Sequence, residues 1–315
     1  MLAIAGLALL TLDNERLAAK GSGPWVFSYF LDNGQDGLHL AYSRDGLKFT
    51  PLGGGQPFLA TAVGGKLMRD PCIMLGPDNA FHAVWTTGWW EQGIGLAHSK
   101  DLLTWSEPEF LPVMVHERKA LNAWAPELIY DGETGQYIIF WSTTIPGRFP
   151  ETDGSGDESP AGAPLNHRIY RTTTRDFKDY TRAELFYDPG FNVIDASVLQ
   201  DGARFIMFMK DETRRPEAKK AIRMATADHA LGPYMLAPGP ISKENWVEGP
   251  TAFRAGGDMV VLFDAYTRNR YEGVKSRDLK IWTPLTGQLE MPPGARHGTV
   301  FAVPEKVLKG LLAKK

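Results

Sequence analysis

Four acidic residues stand at the heads of short apolar runs, each followed by a turn and a second apolar run. They are Asp70 in Arg69-Asp70-Pro71-Cys72-Ile73, Glu127 in Ala125-Pro126-Glu127-Leu128-Ile129, Asp195 in Ile194-Asp195-Ala196-Ser197-Val198, and Glu248 in Val247-Glu248-Gly249-Pro250-Thr251. Carboxylates gathered into one cavity cannot all be ionised together, because each charge raises the cost of the next. Such a group holds a proton donor beside a base, the pair that cleavage of a glycosidic bond requires. A lone Asp-Pro is better read as a turn cap. Four acids at one place in a repeated unit favour a shared site.

A repeat must bring them together. The acid-headed runs are spaced widely enough for a unit of several strands, and a second signature recurs between them. It reads Ser43-Arg44-Asp45-Gly46-Leu47-Lys48-Phe49, then Ser99 to Trp105, Thr174 to Tyr180 and Ser276 to Trp282, with a degenerate copy from Thr226-Ala227-Asp228 to Tyr234. Each copy places an Asp that can cap a tight turn, followed by an aromatic residue suited to packing between neighbouring units. Five turn signatures against four acid-headed strands leave one unit to be completed. Arg296-His297-Gly298-Thr299-Val300 has the form of the missing strand, with His297 in the acid position. Paired with Trp25 to Phe30, it would close a ring from the two chain ends and remove its open edges. The expected fold is therefore all-β: a five-bladed β-propeller with four-stranded blades over residues 25–304, the first strand of each blade lining a central channel.

Composition agrees. The 315 residues include 33 Gly, 22 Pro, 9 Trp, 10 Tyr and 16 Phe, many turns and many aromatic strands. Thirty-four basic and 37 acidic residues give a net charge of −3 with no basic block, which argues against nucleic-acid binding. Cys72 is the only cysteine, so an intramolecular disulfide is excluded. Met1 to Leu12 is apolar but too short to span a bilayer. Residues 1–24 read as an N-terminal segment or signal remnant, which leans localisation towards export, and residues 305–315 as a short amphipathic tail.

The ordered set Arg69-Asp70-Pro71, Trp124-Ala125-Pro126-Glu127, Asn192-Val193-Ile194-Asp195, Val247-Glu248-Gly249-Pro250 and Arg296-His297-Gly298 resembles glycoside hydrolase family 43. Those inverting enzymes act on arabinan and xylan and have a five-bladed propeller. By the resemblance Asp70 is the general base that activates water, Glu248 the general acid, and Asp195 the residue that tunes and orients the acid. His297 takes the position whose imidazole faces the channel and can contact a calcium ion or water, and no cofactor is otherwise required. An arginine from a late blade often touches substrate in this family, which makes Arg270 a candidate. The strand pair Trp25 to Ser43 ahead of Asp70 departs from members that begin close to their base.

Several residues are expected around the acids. Arg69 would pair with a carboxylate or keep Asp70 ionised. Trp89 and Trp90 are candidate sugar platforms, Trp124 shapes the rim, and Glu127 holds a sugar hydroxyl or supports the wall. The loop around Ile145 to Pro160 would wall a pocket suited to exo action, while the charged insertion Asp211 to Lys220 reads as solvated surface. The expected activity is release of a terminal furanose or pentose from an oligosaccharide, foremost α-L-arabinofuranose, by a monomer or small homo-oligomer. β-Xylosidase and β-galactofuranosidase activities are the near alternatives. A retaining fructan-cleaving propeller would need Asn-Asp-Pro where the chain has Asp32-Asn33-Gly34. A sugar-binding propeller would have no need of an acid–base pair.

Overall fold

The computed structural model describes residues 23–60 and 62–314, so the apolar Met1 to Leu12 lies outside the described residues. Twenty strands form five antiparallel sheets of four. Blade I joins β20 (Arg296–Ala302) to β1 (Trp25–Phe30), β2 (His39–Ser43) and β3 (Thr50–Pro51). Blade II contains β4 (Arg69–Leu75), β5 (Phe81–Thr86), β6 (Ile94–Ser99) and β7 (Glu109–Leu111). Blade III runs from β8 (Trp124–Asp131) through β9 (Gln136–Thr144) and β10 (His167–Thr174) to β11 (Glu184–Tyr187). Blade IV holds β12 (Val193–Asp201), β13 (Arg204–Asp211), β14 (Ala221–Ala227) and β15 (Met235–Leu236). Blade V comprises β16 (Glu248–Ala255), β17 (Asp258–Ala265), β18 (Arg270–Ser276) and β19 (Thr283–Pro284). The ring closes as expected, with Trp25 opposite Ala302 and Phe27 opposite Val300.

Apolar side chains fill five interfaces between adjacent blades. Ile73, Phe81 and Trp85 meet Val26 and Leu40 between blades II and I, and Trp141 and Ile139 meet Val84 and Leu96 between III and II. Met207 and Phe205 pack on Phe140 and Ile169, Phe208 on Val261 and Phe263, and Phe253 and Leu262 on Trp25 and Phe27. Because each blade is covered on both faces, the second strands read as continuous apolar runs rather than alternating ones. The signature aromatics Phe49, Trp105, Tyr180, Tyr234 and Trp282 all join these interfaces.

Four copies of the turn signature share one hydrogen-bond pattern. The backbone N–H of residues 45 and 46 donates to Ser43 Oγ, and those of residues 47 and 48 donate to Asp45 Oδ1. The same bonds recur at Ser99/Asp101, Thr174/Asp176 and Ser276/Asp278. The tight corner puts Gly46, Leu102, Phe177 and Leu279 in the left-handed region. In the fifth copy the chain instead turns through Gly232-Pro233, with Gly232 at φ 87°. The C-terminal stretch forms α1 (Glu305–Ala313), which buries Leu308 and Leu311 among Phe81, Leu102 and Val303. It is thus part of the packing of blades I and II. Among the described residues no helix is long and apolar enough to cross a membrane.

Candidate active site

Every inner strand carries a register shift near its head: Arg69/Cys72, Trp124/Glu127, Ile194/Ser197, Glu248/Thr251 and, in blade I, Ser28/Phe30 opposite His297. These β-bulges re-aim one side chain in each blade. The first bulged residue is left-handed in four blades, at Asp70 (φ 52°), Ala125 (φ 47°), Asp195 (φ 55°) and Gly249 (φ 58°). The register corrects the expectation that one position supplies all four acids. Asp70 and Asp195 occupy the bulge, as does His297. Glu248 lies one residue earlier, in register with Arg69 and Arg296, and Glu127 two residues later, in register with Cys72 and Ser197.

His297 ties the blades together. Its Nδ1 is 3.3 Å from Asp70 Oδ1 and 3.9 Å from Asp195 Oδ2. Its ring lies so close to Gly249 that a Cβ there would fall 2.3 Å from the imidazole Cγ. Only glycine meets both that approach and the positive φ without strain. The Gly249 N–H donates to Asp195 Oδ2 at 3.1 Å, and Thr86 Oγ1 donates to Asp70 Oδ2 at 2.8 Å. Glu248 is held from the other side, by Lys210 Nζ at 3.0 Å from Oε2 and Arg296 Nη2 at 3.3 Å from Oε1. Lys210 also pairs with Glu212 at 2.7 Å, and Arg296 with Asp264 at 2.6 Å.

These contacts set the protonation states. Burial pushes the Asp70 carboxyl up, but the His297 contact and charge, Arg69 and Thr86 outweigh it and bring the pKa down to about 2. Burial lifts Asp195 to about 6, with Glu248 and Asp70 adding to the rise against His297 and Lys210. For Glu248 burial is again the largest influence, yet Lys210, His297 and Arg296 together lower it. The sequence predicts a tuned acid at Glu248; in the free protein the elevated carboxyl of the pair is Asp195. The physical reason is the two cations on Glu248. Burial lowers His297, and Asp195, Asp70 and Glu248 overcome that to raise it to about 9. His297 is therefore held as an imidazolium by the carboxylates to which its Nδ1 is turned. Among the described residues no group of three or more His, Cys, Asp or Glu side chains is placed to hold a metal.

The remaining candidates divide. Arg69 bonds Asn33 Oδ1 at 2.8 Å and lies between the rings of Trp89 (4.2 Å) and Phe30 (4.7 Å), so it reaches Asp70 by charge rather than by an ion pair. Trp89 and Trp90 are both 43% exposed and both lean on Trp124, whose indole N–H donates to the Trp89 carbonyl. Glu127 is buried deeper in the channel, where burial raises its pKa to about 8 and Ser197 bonds it; this is a wall position. Arg270 is not brought to the carboxylates. It pairs with Glu272 at 2.7 Å and lines a separate cavity of about 470 Å³ beside Pro284 and Met291. The arginine that reaches the acids is Arg296, on β20 of blade I.

The loop between β9 and β10 leaves from Thr144, and Ser142 pairs with Trp124, so it rises on the face that carries the acids. Buried Arg168 organises it through Thr152 and Asn166 and stacks on Phe149. The insertion after β13 exposes residues 214–217, as expected, but it is tied to that loop by its backbone and by its buried end. The N–H groups of Arg214 and Arg215 donate to the Ser155 carbonyl, and buried Lys220 pairs with Asp157 and Glu212. A run of alternating charges thus extends from Glu248 through Lys210, Glu212 and Lys220 to Asp157.

Lys210, Asp264 and Thr86 carry no role in the sequence reading, and Arg296 enters it only as part of the last repeat. Each has a visible signal, a polar residue ending an apolar second strand (Phe205 to Lys210, Met259 to Asp264, Phe81 to Thr86) or preceding the histidine of the last repeat.

The molecule is thus a five-bladed propeller in which carboxylates and one imidazolium from different blades are brought together. The chain belongs to the family described as "Probable glycosyl hydrolase domain", related to glycoside hydrolase family 43, whose model matches residues 23–308. A thermostable family-43 glycoside hydrolase shares the fold at a TM-score of 0.55 and 15% identity over 76% of this chain and 80% of that one. The α-L-arabinofuranosidase of Lactobacillus brevis superposes at 0.51, with 18% identity over 69% and 72%, and the Bacillus subtilis arabinanase at 0.50, with 14% over 76% and 81%. In sequence, an α-L-arabinofuranosidase of Bifidobacterium longum subsp. longum is 27% identical over 108 residues, which is 32% of this chain and 9% of that protein's length.

Proposed function

We propose that the protein is an inverting, exo-acting glycoside hydrolase that releases terminal α-L-arabinofuranose from oligosaccharides. The observation that carries this reading is the convergence of Asp70, Asp195 and Glu248 around His297. The sequence similarity to an arabinofuranosidase supports the choice of sugar. Asp70, ionised and held by Thr86 and His297, accepts a proton from water as the water oxygen bonds the anomeric carbon. The bond to the leaving oxygen breaks on the opposite face, and Glu248 supplies that oxygen with a proton. In the free protein Asp195, not Glu248, is the carboxyl whose proton affinity burial raises, so below about pH 6 the pair's proton rests there, and substrate entry must loosen Glu248 from Lys210 and Arg296 and let the proton reach it. Asp195 is thus a positioning and proton-sharing residue. Trp89, Trp90 and Trp124 offer flat apolar faces to the sugar, with Arg69 and Glu127 supporting the walls. The loop Ile145 to Pro160 stands over one side of the mouth, which supports exo action.

A panel of aryl furanosides and pyranosides tests the reading, with Glu248→Gln and Asp70→Asn proteins as controls. Turnover of the α-L-arabinofuranoside that Asp70→Asn abolishes is expected; an activated aryl leaving group will partly bypass Glu248→Gln. Turnover undiminished in Asp70→Asn would remove Asp70 from the role of base.

A further inference from the structure

We propose that Trp246, Tyr266 and Arg214 form a subsite for a leaving-group sugar, so that the natural substrate is a glycoside in which one sugar is linked to another sugar ring. This inference rests on the proposed function, which puts the departing oxygen beside Glu248.

A continuous path of side chains leads outward from that carboxylate. Lys210, bonded to Glu248, lies with Nζ 4.8 Å from the Tyr266 ring centroid. Tyr266 meets Trp246 edge-on at 6.5 Å, and the Arg214 guanidinium sits over the Trp246 ring at 5.5 Å. Both aromatic rings are part-exposed, and Arg214 is 43% exposed. With Arg214 over one face of the indole, the C–H surface of a sugar would take the other, and the guanidinium N–H groups at its edge would donate to hydroxyls.

The backbone holds Trp246 in place for this purpose. It is a bulky side chain in the left-handed region, at φ 63°, two residues before Glu248. Such conformations persist only where the surroundings enforce them. Here Arg268, itself paired with Glu272, donates to the Asn245 carbonyl at 3.0 Å, and the Val247 N–H donates to the Lys220 carbonyl at 3.2 Å. The second bond fastens the Trp246 segment to the end of the insertion that carries Arg214. Arg214 is further oriented by Asp157 at 3.1 Å, from the loop after β9. Three separate segments therefore converge on one part-exposed ring, two residues before Glu248 and linked to it through Tyr266 and Lys210. The aromatic group of Trp89, Trp90 and Trp124 belongs to blades II and III, beside Asp70 and its neighbour strand, so the two walls serve different parts of a substrate.

The test compares two substrates: an α-L-arabinofuranosyl disaccharide, and α-L-arabinofuranosyl azide, whose leaving group is too small to reach the indole. In Trp246→Ala the ratio of kcat/KM on the disaccharide to that on the azide is expected to fall about tenfold or more, the order of one lost stacking contact, with recovery in Trp246→Phe. A ratio equal to that of the unsubstituted protein would overturn the subsite. Should Trp246→Ala fail to fold, the exposed Arg214→Ala carries the same comparison. If the unsubstituted protein turns over neither substrate, the proposed function fails. Disaccharide binding by calorimetry then decides the subsite separately: weaker binding in the variants supports it, and equal binding overturns it.

Discussion

At the scale of single residues, a pKa near 2 at Asp70 and near 6 at Asp195 makes a definite pH profile. In the proposed mechanism activity needs Asp70 ionised and one proton on the Asp195–Glu248 pair. The value of kcat/KM should therefore fall as pH rises through about 6 and hold steady well below it, until the fold gives way in acid. Lys210→Met tests the cause. Removing an opposite charge 3.0 Å from Glu248 should raise its pKa and carry the alkaline limb upward; an unmoved limb would dissociate Lys210 from the proton. His297 gives a stability signature. Its folded pKa is raised, so its contribution is fully present below about 6.5 and lost as pH rises through about 9. A denaturant midpoint that falls across that window in the unsubstituted protein and stays flatter in His297→Gln would be the expected result. Of these charges, the acids were legible in the sequence because each heads an apolar run. Their cationic partners were not, because Lys210 and Arg296 become site residues only when blades IV and I meet blade V.

At the scale of elements, the strand repeat was readable and its register was not. Apolar runs, Asp-capped turns and aromatic spacers locate β1, β2 and the blade boundaries within a residue or so. A bulge, however, shifts side chains by one position without altering composition. Glu127, Asp195 and Glu248 therefore looked equivalent while occupying three different places. The bulge also explains why the Gly249 position is demanding. Gly249→Ala must hold a non-glycine residue at φ 58° and push a methyl into the His297 ring, a combined cost of about 1–3 kcal/mol or more. Thermal melts should show that loss together with reduced activity, since His297 must move. The middle of the insertion Asp211 to Lys220 is solvated as expected, but its ends were not legible, because their charges look solvent-directed in a single sequence. Buried Lys220 and its ion pairs with Asp157 and Glu212 come only from the neighbouring loop.

At the scale of the whole molecule, five interblade cores and a ring closed by β20 against β1 keep residues distant in sequence within hydrogen-bond reach. Trp141 is fully buried between blades II and III, so Trp141→Ala should cost about 3–5 kcal/mol and lower the melting temperature of the entire ring. The ring's purpose in this reading is to hold Asp70 and Glu248 on opposite sides of one anomeric carbon. That claim has a direct observable, the configuration of the first sugar released. Proton NMR of an α-L-arabinofuranoside digest, recorded before mutarotation, should show β-L-arabinofuranose appearing first. If the α anomer came first, or no arabinose were released, single displacement by Asp70 and Glu248 would be contradicted.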